Sequence, residues 1–195
     1  MDEHRRALII FARKPEAGKV KTRLAATLGN DKALDIYIKL LEHTRRVAAA
    51  ATCDKYVFLT EPKHDDFWDG FTDEMQQGDT LGARMQHSFQ FLFEKGYNHV
   101  LIIGSDCPGL DADIISKGFE ELNEADIVIG PATDGGYYLL GMDKMHPSLF
   151  QNKSWSTGTV FDDTISDINA AGLSFFTLPG LSDVDEEKDI PAAWL

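Results

Sequence analysis

RRALIIFA (Arg5–Ala12) runs directly into RKPEAGKVKTRL (Arg13–Leu24), and this junction decides how the rest of the chain reads. The first stretch is apolar and branched enough for a buried central strand. Behind it Arg13, Lys14, Lys19, Lys21 and Arg23 place five cations within eleven residues. Like charges this close repel one another, and the whole chain carries a formal net charge of −13. Positive charge gathered at one strand's carboxyl end therefore points to an anion bound there. Gly18 lets the backbone approach a ligand closely, and Thr22 is placed to cap a helix whose first amides face the same anion. The alternative is a solvated basic loop.

The 195 residues suit one domain with a single sizeable core, and 43% hydrophobic with 26% charged residues is a globular composition. No apolar run approaches the roughly 20 residues needed to span a bilayer, so no membrane span is expected. MDEHRR at the start lacks a signal-peptide pattern. Cys53 and Cys107 fall in different segments without metal or redox spacing, which fits a reduced, cytoplasmic setting. The acidic balance argues against a nucleic-acid polymer as partner, because tracking a polymer needs an extended basic face rather than one loop. Nothing in the residues fixes an oligomeric state.

Working outward, DKALDIYIKLLEHTRRVAAAA (Asp31–Ala51) has Leu34, Tyr37, Ile38, Leu41 and Val47 at helical spacing, with Asp31 near its start. KYVFLTE (Lys55–Glu61) reads as a strand closed by Pro62, and a small helical or irregular piece around Phe67 and Trp68 leads to FTDEMQQ. LGARMQHSFQFLFEKG (Leu81–Gly96) is an amphipathic helix ending at a glycine. HVLIIGSDCPGL is a buried strand and loop, DADIISKGFEELNEA a helix with acids in its first turn, and DIVIGPA a strand. GGYYLLGM reads as a strand facing partly outward. Thr159–Ala171 is helical, LSFFTLP is a strand, and LSDVDEEKDIPAAWL is a loop entering a final helix. This order predicts one three-layer α/β/α domain over residues 1–195 with a mostly parallel sheet. The sheet should be mixed, because GGYYLLGM follows a strand with no helix between.

In open α/β sheets ligands bind beyond the carboxyl ends of the strands. After HVLIIG comes Ser105-Asp106-Cys107-Pro108, and after LSFFTLP comes Asp183-Val184-Asp185. Carboxylates at alternate positions of an extended segment point one way, which suits a hard cation with oxygen ligands. Asp106, Asp183 and Asp185 together suggest a Mg²⁺ or Mn²⁺ site beside the basic loop, where metal and cations would share the charge of a diphosphate. Each has a plainer reading: Asp106 as a turn or helix cap, the pair as the acidic start of the last helix. In PATDGGYYLLG, Asp134 precedes Gly135, Gly136 and Tyr137, either a simple turn or a backbone against which an acceptor lies, with Asp134 as a hydroxyl or metal partner. Trp155 in NKSWSTGT is an apolar wall for that acceptor or part of the core. In GDTLGARM the glycines Gly78 and Gly82 open a helix where a base or ribose could rest on backbone amides, while Arg84 reads as a surface residue.

RKPEAGKVKTRL, GDTLGARM, IGSDCPGL, GPATDGGYYLLG, the SWST segment and LSDVDEEKD, in this order, resemble the DUF2064 family, also called radical-SAM/selenodomain-associated transferase 1. The resemblance runs from Ala7 to about Asp189. It implies a nucleotide-diphospho-sugar transferase (GT-A, Rossmann-like) fold similar to 2-phospholactate guanylyltransferases. It supports nucleotide phosphates at Arg13, Lys14, Gly18, Lys21 and Arg23 and a metal at Asp106, while the residues themselves add Ala12, Thr22, Gly78 and Gly82 to the expected nucleotide site and give Lys21, Asp106 and Asp134 as the expected catalytic groups. Gly135, Gly136, Tyr137 and Trp155 would hold the acceptor, and the metal would lie on Asp106, Asp183 and Asp185. The expected activity is metal-dependent transfer of a glycosyl or nucleotidyl group from a nucleotide sugar or nucleoside triphosphate to a small acceptor. The other reading is a non-catalytic nucleotide-binding regulatory protein of the same fold.

Overall fold

Leu8, Ile10 and Ala12 point to one side of strand β1 (Arg6–Ala12), and Ala7, Ile9 and Phe11 to the other. A strand apolar on both faces must be covered on both. In the computed structural model, which describes residues 5–62 and 65–194, it is. Helices α2 (Asn30–Ala50) and α4 (Ala112–Glu121) cover the first face through Tyr37, Leu41, Val47, Ile115 and Phe119. Helices α3 (Leu81–Glu94) and α5 (Val160–Ala170) cover the second through Met85, Phe89, Leu92 and Ile168. The described residues thus form the three-layer α/β/α fold.

Strands β2 (Asp54–Leu59), β3 (Thr72–Met75), β4 (His99–Ile103), β5 (Ile127–Pro131), β6 (Tyr137–Met142) and β7 (Phe175–Thr177) complete a seven-stranded sheet in the order β3-β2-β1-β4-β6-β5-β7. β6 runs antiparallel to both β4 and β5, and the remaining pairs are parallel. The chain leaves β1 toward β2 on one side and returns to β4 on the other. The gap between β1 and β4 is therefore the topological switch point, where such sheets open a crevice. Thr80 caps α3 by accepting from the Ala83 amide (3.1 Å), and Asp111 caps α4 through the Ile114 amide (2.8 Å).

Three local expectations change. GGYYLLGM does not face outward: β6 lies between two strands and is buried from Tyr138 to Met142. Gly141 permits this, because a Cβ there would come within 2.2 Å of the Leu101 side chain. The tail ends in two 3-10 turns, Glu187–Asp189 and Ala192–Trp194, rather than a helix. Pro191 explains it: the residue before a proline is pushed out of the helical region, and Ile190 sits at φ −70°, ψ 125°. A short separate helix, α1 (Thr22–Leu28), precedes α2 across Gly29. Met1–His4, read above for the lack of a signal-peptide pattern, and Leu195, the end of the expected final helix, lie outside the described residues. No described helix is long and apolar enough to cross a membrane.

Candidate active site

Val20 and Leu24 are buried and pin the basic loop to the body of the protein, and between them Lys21 takes the left-handed conformation, φ 47° and ψ 47°. A non-glycine residue there costs roughly 1–2 kcal/mol, and the turn aims the lysine inward. Its side chain is 6% exposed, with Nζ 3.0 Å from Asp106 Oδ1 and 3.4 Å from Asp185 Oδ1. Arg23 reaches the other oxygen of Asp185 at 3.3 Å from the surface. Thr22 is the first residue of α1 rather than its cap, and Lys21 at the cap position makes no side-chain capping bond. With seven residues α1 contributes little dipole, so the loop's positive field comes from side chains.

Asp106 follows β4 across Gly104 and Ser105, on the other side of the switch point. The distant tail reaches it by backbone pairing. Leu181 bridges Ala132 beyond β5, and the Val184 amide donates to the Asp106 carbonyl at 3.0 Å. Val184 is fully buried under α1 and α2 beside Leu24, Ile36 and Leu40, so its neighbours Asp183 and Asp185 turn to the cleft. Asp183 makes no hydrogen bond or ion pair among the described residues. Partial burial first, then the charges of Asp106 and Asp134, push its carboxyl up to about 7. The Cys107 thiol, buried beside them, is pushed up to about 12, chiefly by burial, and stays protonated.

The other wall is aromatic. Trp155 packs closely against α3 at Gly82, where a Cβ would come within 2.4 Å of its ring. The loop carrying it is held close by Gly135, at φ +90°, where a Cβ would come within 2.0 Å of the Gly158 carbonyl. Tyr137 donates to Met85 Sδ at 3.8 Å, and Asp134 Oδ1 accepts from the Gly136 amide at 2.9 Å. These walls bound a cleft of about 720 Å³.

Of the residues expected at the site, Ala12, Arg13, Lys21, Thr22, Arg23, Asp106, Asp134, Gly136, Tyr137, Trp155, Asp183 and Asp185 line this cleft. Lys14, Gly18, Gly78, Gly82 and Gly135 do not. Lys14 pairs with Glu61 at 3.8 Å on the surface, and the Gly78 carbonyl accepts from Arg84 Nε at 2.9 Å. Tyr37 and Gln76 are among the lining residues that carried no functional expectation. Tyr37 braces the basic loop, its hydroxyl accepting from the Arg13 amide (3.0 Å) and donating to the Arg13 carbonyl (3.1 Å). Gln76 ties the ends of β1 and β2, with Nε2 donating to the Phe58 carbonyl at 2.9 Å and the Ala12 carbonyl at 3.3 Å. A buried tyrosine hydroxyl always wants a partner, which is the one signal Tyr37 offered.

Among the described residues, the acidic and histidine ligand atoms lying within 4.8 Å of one another in a group of three are those of Asp126, Asp143 and His146. The cleft acids share one cavity without meeting that spacing. The Asp126 group sits at the opposite end of the sheet, before β5 and after β6. There Asp126 accepts from the Ser174 amide (2.8 Å) and hydroxyl (2.6 Å), clipping β7 to β5.

A doubly wound sheet with cations and carboxylates facing each other across its switch point fits the nucleotide-diphospho-sugar transferase superfamily, and similarity to a protein of that class over 94% of the chain places this protein there. Residues 43–157 match the family described as uncharacterized proteins conserved in bacteria, DUF2064. The chain belongs to that family. It is similar to a protein of Desulfovibrio desulfuricans G20 provisionally assigned as a nucleotide-diphospho-sugar transferase, at 33% identity and TM-score 0.88, covering 94% of this chain and 83% of that one. The fold is shared with the 4-diphosphocytidyl-2C-methyl-D-erythritol synthase of Anaerococcus prevotii, at 11% identity and TM-score 0.57, covering 96% and 95%. It is shared also with Rv0371c of Mycobacterium tuberculosis, solved with manganese, at 13% identity and TM-score 0.54, covering 93% and 92%. No curated protein matches the chain.

Proposed function

We propose that this protein is a metal-dependent transferase that takes a nucleoside triphosphate or nucleotide sugar and passes a nucleotidyl or glycosyl group to a small acceptor. The observation that carries the reading is the buried Lys21 ammonium standing between Asp106 and Asp185, with the unpaired Asp183 carboxyl beside them. Lys21, with Arg13 and Arg23, supplies the charge a diphosphate needs, on a loop whose backbone Tyr37 holds rigid. The names of the relatives from Desulfovibrio and Anaerococcus support the same class.

The donor set fits Mg²⁺ or Mn²⁺: carboxylate oxygens in excess, one of them uncompensated, and the neighbouring Cys107 kept as a thiol. Asp106 and Asp183 would hold the ion, while Asp185 tethers Lys21 and Arg23. A bound divalent ion neutralises diphosphate charge and stabilises the leaving group. The mycobacterial Rv0371c structure, solved with manganese, supports a divalent ion in a protein of this fold.

In nucleotidyl transfer an acceptor oxygen bonds to the α-phosphorus as the α–β bridging bond breaks, and its electron pair leaves on pyrophosphate beside Lys21. In glycosyl transfer the acceptor oxygen bonds to the anomeric carbon, the carbon–oxygen bond to the diphosphate breaks, and its electron pair leaves on the nucleoside diphosphate. The acceptor proton then passes to Asp134, whose carboxylate is oriented by the Gly136 amide.

Thermal melting with GTP, CTP, UDP-glucose and GDP-mannose, each with and without Mg²⁺ or Mn²⁺, tests the reading. At least one nucleotide should raise Tm only when metal is present, and Asp106→Asn should abolish the rise. No shift with any combination, or a shift untouched in Asp106→Asn, refutes it. Release of pyrophosphate or of nucleoside diphosphate then separates the two reactions, and binding with neither release would favour the regulatory alternative.

A further inference from the structure

The charges of the cleft are divided unevenly. Among its described lining residues the cations are Arg13, Lys21 and Arg23, all from the stretch that runs from the end of β1 into the first turn of α1. The facing wall, from α3, β6 and the loop before α5, contributes Leu81, Met85, Tyr137 and Trp155, with Asp134 at its edge. Two cations nearby in sequence are committed elsewhere. Lys153 is 1% exposed, with Nζ 2.8 Å from Asp167 and 2.6 Å from the Thr164 hydroxyl, and Arg84 donates to the Gly78 carbonyl. Neither lines the cleft.

We infer that the acceptor is an uncharged hydroxyl compound with an aromatic or alkyl body, and that acceptors bearing phosphate or carboxylate are rejected. The inference rests on the transferase reading above and names the class of its second substrate. An anion on this wall would lose its hydration, meet Asp134 and find no cation free to pair with it, since the Lys153 ammonium, 5.8 Å from the Trp155 ring centre, is buried against Asp167. A flat or alkyl body gains instead, stacking on the half-buried Trp155 and on Leu81, which is 42% exposed. The Tyr137 hydroxyl is free to serve such a substrate. Its contact is the weak thioether acceptor of Met85, and burial keeps it protonated, so it can donate to an incoming hydroxyl. A neutral hydroxyl nucleophile suits attack on an anomeric carbon. Nucleotidyl transfer onto a phosphate acceptor would need a cation that this wall lacks, so the same inference favours glycosyl transfer.

Calorimetric titration with matched pairs tests this: methyl 4-(hydroxymethyl)benzoate against 4-(hydroxymethyl)benzoate, and 1,6-hexanediol against 6-hydroxyhexanoate. Each is titrated into the protein alone and into protein with UDP or GDP and Mn²⁺. The uncharged member of each pair should bind about tenfold or more tighter, since like-charge juxtaposition and an unpaired buried anion each cost that much. Asp134→Asn should narrow the gap severalfold. Trp155→Ala should weaken the aromatic ester about tenfold, with nucleoside diphosphate affinity unchanged within about twofold. Trp155→Phe, which keeps a ring over Gly82, should recover most of the loss. Equal or tighter binding of the charged members, binding of neither member, or indifference to Trp155→Ala overturns the inference. Nucleoside diphosphate is titrated separately: its failure to bind, with the acceptor preference intact, refutes the transferase reading alone.

Discussion

Two groups of carboxylates stand at opposite ends of one sheet, and the tighter group is the less interesting. Asp126, Asp143 and His146 bring their ligand atoms within 4.8 Å of one another. Yet Asp126 is saturated by the Ser174 hydroxyl and amide, which hold its carboxyl below the ordinary range, and Lys144 stands 3.7 Å away. The cleft group is looser, and it leaves Asp183 unpaired with its carboxyl pushed up to about 7. Closeness marks groups that already solve one another's electrostatics, whereas unspent charge marks a place built for something else.

Removing the buried cation of the cleft breaks the comparison most severely. In Lys21→Met, nucleotide affinity measured with Mn²⁺ should fall about 30- to 100-fold, as expected for the loss of a charge-assisted phosphate contact. The left-handed backbone is no worse for Met than for Lys, so the effect reads the charge. Wild-type affinity in this variant would reduce Lys21 to a strut between two acids, and the cleft would lose its claim to phosphate.

Asp183→Asn separates the groups by pH. With a folded value near 7 against an ordinary 3.8, the native protein keeps a proton that the unfolded chain releases. Metal-free stability should therefore decline as pH rises from about 4 to 7 and stay lower above that. Asn cannot ionise, so at about pH 8 with chelator the variant should be more stable by about 1–3 kcal/mol, and no different near pH 3.5. With Mn²⁺ the order should invert, because only the wild type gains from the ion. Matching melting temperatures at pH 8 without metal would mean that Asp183 carries no unspent charge.

The sheet, its strand ends and the basic loop were legible because each rests on a local pattern: an apolar run, a turn, then charge. Asp183 and Asp185 were legible through their alternation about Val184. That they meet Asp106 depends on a backbone bond from Val184 across the fold, which no local pattern encodes. Tyr37 illustrates the same limit: helical spacing marks its ring as core, while its hydroxyl's grip on Arg13 is a tertiary fact. β6 was misjudged because a strand between two partners and a half-exposed one differ in neighbours rather than in residues. Trp155, left open between wall and core, is both, resting on Gly82 and lining the cleft.

At the other end of the sheet, Asp126→Ala should cost about 1–2 kcal/mol of stability in urea at neutral pH, the net worth of hydrogen bonds to a charged acceptor. Its pH sense is opposite to that of Asp183. A carboxyl held low in the folded state stabilises above its ordinary range and loses that contribution as pH falls through its folded value. The stabilisation by nucleotide with Mn²⁺ should be untouched. Its loss would make the Asp126 group, rather than the cleft, the metal centre.

Lys144→Ala asks whether closeness alone suffices for a metal once the competing cation is gone. Lys144 is 65% exposed and lies 3.7 Å from Asp126 and 3.8 Å from Asp143, so the pair is worth little in water. Stability should change by less than about 0.5 kcal/mol. Deleting the ammonium does free the Oδ1 side of Asp126. A cation there would still have to draw on a carboxylate whose Oδ2 is held by the Ser174 amide and hydroxyl, and breaking that clip would release β7 from β5. Melting in the presence of Mn²⁺ should therefore show no metal-dependent rise beyond that of the wild type. A new rise, abolished by adding Asp143→Asn, would show that spacing alone can make this group a ligand set, and unspent charge would no longer distinguish the cleft from its counterpart.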